Sequence, residues 1–280
     1  MARQTGNANI YARALTNVAL YYEVIGNISK SMHLMVQQIE INQQQGNLLG
    51  ETFGLLNLGY FYLSLGRFKE GYDLLDRALK NAQRLGARNC EAYSLLNLGL
   101  AEWRLGRWRE ACKLLESSLG VLKTIGDQRG LASREFYLGL SHESGGDFNL
   151  AADYFRQALV SFEAIGAKSG IVEAQAGLAR LAHKQGSAAE AGELALEVIN
   201  FLDKEGNQGL ELPVLAYLTC IKIFDTLGDT VGVEHVRKEA YSVIQDRLAM
   251  IDEPDWRKVY LESIPENREL VKIKKEVPKY

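Results

Sequence analysis

The segment LLNLGYFYLSLGRFKEG at 55–71 returns forty residues later as LLNLGLAEWRLGRWREA at 95–111. The same spacing sets a series of glycines at 26, 66, 106, 146 and 186, followed by Gly228 after 42 residues. A second series, Gly46, Gly86, Gly126, Gly166 and Gly206, stands twenty residues after the first. Self-similarity at a fixed period of this size marks a chain built from stacked supersecondary units. Glycine is the natural helix C-cap, so each period is expected to hold two helices of about 16 residues separated by two turns. Four prolines in 280 residues, three of them at or after Pro254, leave little to interrupt those helices. The chain therefore reads as all-α.

The apolar residues keep the same register. Leu58-Gly59, Leu98-Gly99, Leu138-Gly139 and Leu178-Ala179 precede the first-series turns, with a small residue in each second place where two helices can approach closely. After the turns come Phe68, Trp108 and Phe148, then Gly71, Ala111, Ala151 and Ala191, then Leu75, Leu115, Phe155 and Ala195. Spacings of three and four residues put these on one helix face. One hairpin buries only one side, so successive units must stack into a solenoid with a continuous core. Trp108 is expected to pack between neighbouring repeats.

Composition limits what the stack can do. Hydrophobic residues make up 47% of the chain, ample for a core, and the net charge of −3 gives no basic footprint for nucleic acid or an anionic membrane. Cys90, Cys112 and Cys220 lack metal spacing and are expected as reduced thiols. The N-terminus has no signal-peptide core and no apolar run reaches membrane-spanning length, so a soluble, cytoplasmic protein is expected. Asn27-Ile28-Ser29 matches a glycosylation sequon by chance.

At these residues the sequence resembles the tetratricopeptide repeat (TPR) family, whose signature sets Leu-Gly in the first helix, a turn glycine, and Ala, a large apolar residue and Ala in the second. The forty-residue period is similar to that of kinesin light chains, spindle-orientation adaptors and the repeat arms of large bacterial regulators. The tail EPDWRKVYLESIPENREL resembles the closing segment of such arms in multidomain signalling ATPases. The resemblance implies a right-handed superhelical solenoid of about six helix-turn-helix repeats with a C-terminal capping helix. Expected boundaries are a flexible 1–9, repeat units at about 10–48, 49–88, 89–128, 129–168, 169–208 and 209–252, a capping segment at 253–270 and a flexible tail at 271–280.

No catalytic constellation is present. His142-Glu143 lacks the second histidine of a zinc-protease motif, because Gly146 stands in its place. Gly166-Ala167-Lys168-Ser169 has Ala where a phosphate loop needs Gly. The four histidines fall in different repeats without metal spacing. No cofactor, metal or catalytic residue is expected, and function falls to a surface.

Residues thirteen, nine, six and two before each turn glycine form one stripe along the first helix of a unit. In the TPR family that stripe lines the concave groove. Nine before the turn stand Asn17, Asn57 and Asn97, then Tyr137. Asparagine is a mediocre helix residue, and the resemblance implies that these carboxamides clamp a peptide backbone; capping of a neighbouring helix, or simple inheritance of the repeat, stays open. Tyr60 adds an aromatic surface six before its turn. The C-terminal half of the stripe is cationic, with Arg180, Lys184 and Lys222, and Arg13 and Arg104 add basic points nearer the N-terminus; Glu173 and Asp225 stand close enough to neutralise the set. The expected partner is a protein or peptide, apolar at one end and acidic at the other. Three alternatives remain: a sensor or autoinhibitory arm of a larger signalling ATPase or regulator, self-association through an apolar edge at residues 10–25, and catalysis by a partner domain that these residues do not carry.

Overall fold

The structure, a computed structural model, describes residues 10–12, 14–19, 21–22 and 27–276. Arg13, Leu20, Val24 and Gly26 of the expected first unit lie outside the described residues, as do both chain ends. Residues 10–12, 14–19 and 21–22 are helical. There follow α1 (Ile28–Gln44), α2 (Leu48–Ser64), α3 (Phe68–Leu85), α4 (Arg88–Arg104), α5 (Trp108–Ile125), α6 (Gln128–Gly145) and α7 (Phe148–Ala164). The chain continues through α8 (Lys168–Lys184), α9 (Ala188–Glu205), α10 (Pro213–Leu227), α11 (Thr230–Ala249), α12 (Pro254–Ser263) and α13 (Pro265–Glu276). No strand occurs among the described residues.

Both glycine series end helices. Gly86 and Gly126 cap α3 and α5 in the left-handed conformation, φ 65° and 70°, and their N–H groups return to carbonyls of the last turn. The next helix then starts at once, in several units under a side-chain cap: the carboxylate of Asp127 accepts from the Gly130 N–H at 2.9 Å, and that of Asp147 from the Leu150 N–H at 3.2 Å. Helix pairs stack in sequence order, and the residues Leu75, Leu115, Phe155 and Ala195 are fully buried at the heart of successive units. Trp108 is half-buried against the core, and its indole lies on Gly145 of the following repeat. The result is the expected all-α superhelical solenoid of stacked helix-turn-helix units.

Two departures from regular stacking shape the concave side. Gly206 has a positive φ but an extended ψ of −169°, so the chain leaves α9 along residues 206–212 before Pro213 opens α10. That excursion contains the two residues that lengthen the last glycine interval to 42. The Leu212 N–H donates to the buried Glu173 carboxylate at 2.7 Å, which ties the excursion to α8. Second, α12 and α13 cross the concave side from the Gly66 turn, where Ile264, Ser263 and Val259 approach, to α10 and α11. The two ends of the array also meet. The Ile28 N–H donates to the Met250 carbonyl at 3.2 Å, and Arg247 donates to the Ser64 hydroxyl at 3.3 Å.

Candidate functional site: the closed concave face

Between the first units, the 206–212 excursion and the closing helices lies a cavity of about 1110 Å³. Asn57, Tyr60 and Ser64 of α2 face it on consecutive turns, as the stripe spacing requires, and Arg104 enters from α4. Across from them stand Glu211, Arg247 and Glu266. The wall thus mixes carboxamide, phenol, guanidinium and carboxylate groups around apolar surface from Met35 and Phe61.

The sequence-predicted residues divide into distinct environments. Asn57, Tyr60 and Arg104 share the cavity. Asn17 is exposed and lies outside its wall, while Asn97 is buried in α4. Tyr137 is buried, and its hydroxyl donates to the Glu211 carboxylate. Arg180 and Lys184 both donate to Glu143 of α6, Arg180 through Nε and Nη2 at 2.8 and 2.6 Å and Lys184 at 2.8 Å. Lys222 pairs with Glu269 of α13 at 2.7 Å. Arg104 makes a two-pronged contact with Glu266, each nitrogen 2.8 Å from its own carboxylate oxygen, and its guanidinium also lies 4.6 Å from the Trp103 ring.

Three carboxylates that the groove stripe did not include therefore pair with its residues: Glu143, Glu211 and Glu266. Glu143 had a signal, since it stands three residues before its turn glycine, the place Asp225 holds in the last unit. Burial opposes its ionisation, but Arg180 and Lys184 outweigh that and hold its carboxyl below the usual range. Glu266 behaves likewise beside Arg104. Glu173 is the opposite case. Burial and the nearby Glu211 push it well above the ordinary value. Burial and Glu211 also raise the Tyr137 phenol.

A carboxyl that binds its proton more tightly when folded stabilises the fold at low pH and loses that contribution as pH rises through the raised folded value. Glu173→Gln keeps an acceptor for the Leu212 N–H and removes the ionisation. The variant is expected to match the wild type in acid and to exceed it in stability at neutral and higher pH. Urea titrations at several pH values check this; a variant weaker at every pH contradicts it.

No group of His, Cys, Asp and Glu side chains suited to a metal occurs among the described residues. No helix among them is long and apolar enough to cross a membrane.

A stack of antiparallel helix pairs with a side-chain-lined concave face defines an α-solenoid of helix-turn-helix repeats. Segments 51–124 and 90–164 match the tetratricopeptide repeat family. No curated protein matches the sequence. Among solved structures, the apo form of RapI superposes with a TM-score of 0.70 at 13% identity, covering 94% of this chain and 99% of that one. The Rap conjugation gene regulator in complex with a Phr peptide gives 0.63 at 14% identity over 100% of this chain and 80% of that one. A signal transduction ATPase with a TPR sensor from Pyrococcus horikoshii gives 0.61 at 14% identity, covering 90% of this chain and 39% of the ATPase. At these identities the likeness concerns the fold.

Proposed function

We propose that this chain is a non-catalytic, cytoplasmic peptide-binding module whose ligand enters the concave cavity. The observation that carries this reading is that Asn57, Tyr60 and Arg104, picked out by repeat register, face one cavity of about 1110 Å³. Small-molecule pockets run to about 1000 Å³, so the space suits a short peptide segment. Asn57 supplies a donor and an acceptor for its backbone, Tyr60 an amphipathic surface, and Arg104 with Lys222 a cationic end for its carboxylates. Arg180 and Lys184 would serve only a ligand that displaces Glu143, and Asn17, Asn97 and Tyr137 are assigned to framing the groove. The Phr peptide of the Rap regulator supports this reading by fold analogy. The ATPase match favours a second reading, in which the same cavity is the input site of a sensor arm in a larger signalling protein.

The test is selection of binders from a random peptide library followed by titration of substituted proteins. Asn57→Ala with Tyr60→Ala removes one hydrogen-bonding amide and one aromatic contact, together about 2–3 kcal/mol. Binding is expected to weaken on the order of 100-fold. Unchanged affinity, together with loss of binding on Leu196→Arg at the exposed face of α9, would overturn the reading.

A further inference from the structure

Of the groove cations chosen from the sequence as receivers of an acidic ligand, Arg104 and Lys222 already hold carboxylates that come from the chain's own C-terminal helix α13. Glu266 in the first turn of α13 takes both prongs of Arg104, with side chains only 9% and 6% exposed. One turn later Glu269 takes Lys222, 118 residues further along the chain than Arg104 but across the same concave face. The next residue, Leu270, is fully buried, and its carbonyl accepts from the Tyr241 hydroxyl. Among the described side chains of α13, Leu270 is the one fully buried hydrophobic, so the helix is held mainly by polar contacts: two ion pairs, the Tyr241 hydrogen bond and that of buried Asn267, which donates to the Tyr260 carbonyl at 2.9 Å. A permanent cap would bury an apolar face, as each repeat helix does. The Lys222–Glu269 pair is half exposed, 46% and 44%, and exchanges readily with other charges.

We propose that residues 265–270 are a resident pseudo-ligand, and that the external ligand carries the same chemistry: two carboxylates three residues apart on a helical turn, followed by a leucine-like side chain. Such a segment binds by displacing α13 from Arg104 and Lys222, which couples ligand binding to release of the C-terminus. The inference rests on the peptide-binding reading of the cavity and adds to it the ligand's pattern and an internal competitor. Because the tethered copy faces its site at high effective concentration, the free site is only fractionally available and the apparent affinity is lowered by that fraction.

The probe is a labelled synthetic peptide of residues 265–272, PENRELVK, titrated into the full chain. Glu266→Gln with Glu269→Gln loosens the resident helix, so this variant is expected to bind the peptide roughly tenfold or more tightly than the wild type. Adding Arg104→Gln, or using a peptide with both glutamates replaced by glutamine, should abolish that gain. Amide hydrogen exchange over 265–273 should quicken in the double variant and on peptide binding to the wild type. Lys222→Glu, at the half-exposed pair, serves as a second variant that leaves the buried Arg104 untouched, and should quicken the same amides. The proposal falls if loosening produces no gain in peptide affinity, or if these amides stay as protected as in the wild type. Library peptides that bind through Asn57 and Tyr60 without altering exchange at 265–273 would sink the internal competitor while leaving the cavity reading intact. If no library peptide depends on Asn57 and Tyr60, the cavity reading fails instead.

Discussion

Phe155→Ala is expected to lower the free energy of unfolding by about 3–5 kcal/mol, at the severe end for large-to-small core substitutions. The ring is 0% exposed and fills the space between α6, α7 and α8. Two of its neighbours are glycines with no side chain to give. A Cβ built on Gly139 would come within 2.6 Å of the ring and one on Gly177 within 2.8 Å. Backbones alone cannot slump into the hole that alanine leaves, so most of the cavity would persist. The Arg180 guanidinium, 5.9 Å from the ring centroid, would lose an aromatic face as well. Urea unfolding followed by circular dichroism and tryptophan fluorescence gives the difference, and coincident transitions confirm that the array unfolds as one unit. A loss below about 1 kcal/mol would mean that the core collapses around the site.

The same residue shows why the fold was readable. Phe155 stands in register with Leu75 and Leu115, and Gly139 with Gly59 and Gly99, where added Cβ atoms would meet those leucines at 2.7 and 2.6 Å. Close helix approach demands a small residue opposite a large one, and the demand recurs every forty residues, so it is written locally. The turn glycines are legible for the same reason. The closing of the concave face is not local. Glu266 meets Arg104 across 162 residues, and no periodic pattern records which stripe that helix crosses. Gly206 has the right spacing, yet its extended ψ starts an excursion, and the sign of that in sequence is only the two-residue excess before Gly228. The stripe put Asn57, Tyr60 and Arg104 in one register, and all three line the cavity. It did not reveal that Asn97, in the same register, is buried or that Asn17 lies outside, because neighbouring units and the closing helices cover the positions unequally.

The second large effect is expected at Glu143. Its side chain is 7% exposed and bridges α6 to Arg180 and Lys184 of α8, skipping the intervening helix. Glu143→Ala leaves the Arg180 guanidinium, 13% exposed, without its counter-charge inside the groove. Breaking a buried pair from one side costs about 3–5 kcal/mol. The lower end applies, because Arg180 keeps a hydrogen bond to Thr219 and a path to solvent, and Lys184, 42% exposed, is readily hydrated. The pH dependence fixes the cause. A carboxyl held below its unfolded value contributes stability above that value, and the contribution disappears as pH falls through the lowered folded value. Wild type and Glu143→Ala should therefore differ most at neutral pH, with the wild type the more stable, and converge in acid; for Glu173→Gln the difference at neutral pH has the opposite sign, with the variant the more stable. Adding Arg180→Ala to Glu143→Ala should recover part of the loss, since it removes the stranded charge. A constant difference at all pH values would show that Glu143 acts by packing alone, and the bridge between α6 and α8 would then owe nothing to its charge.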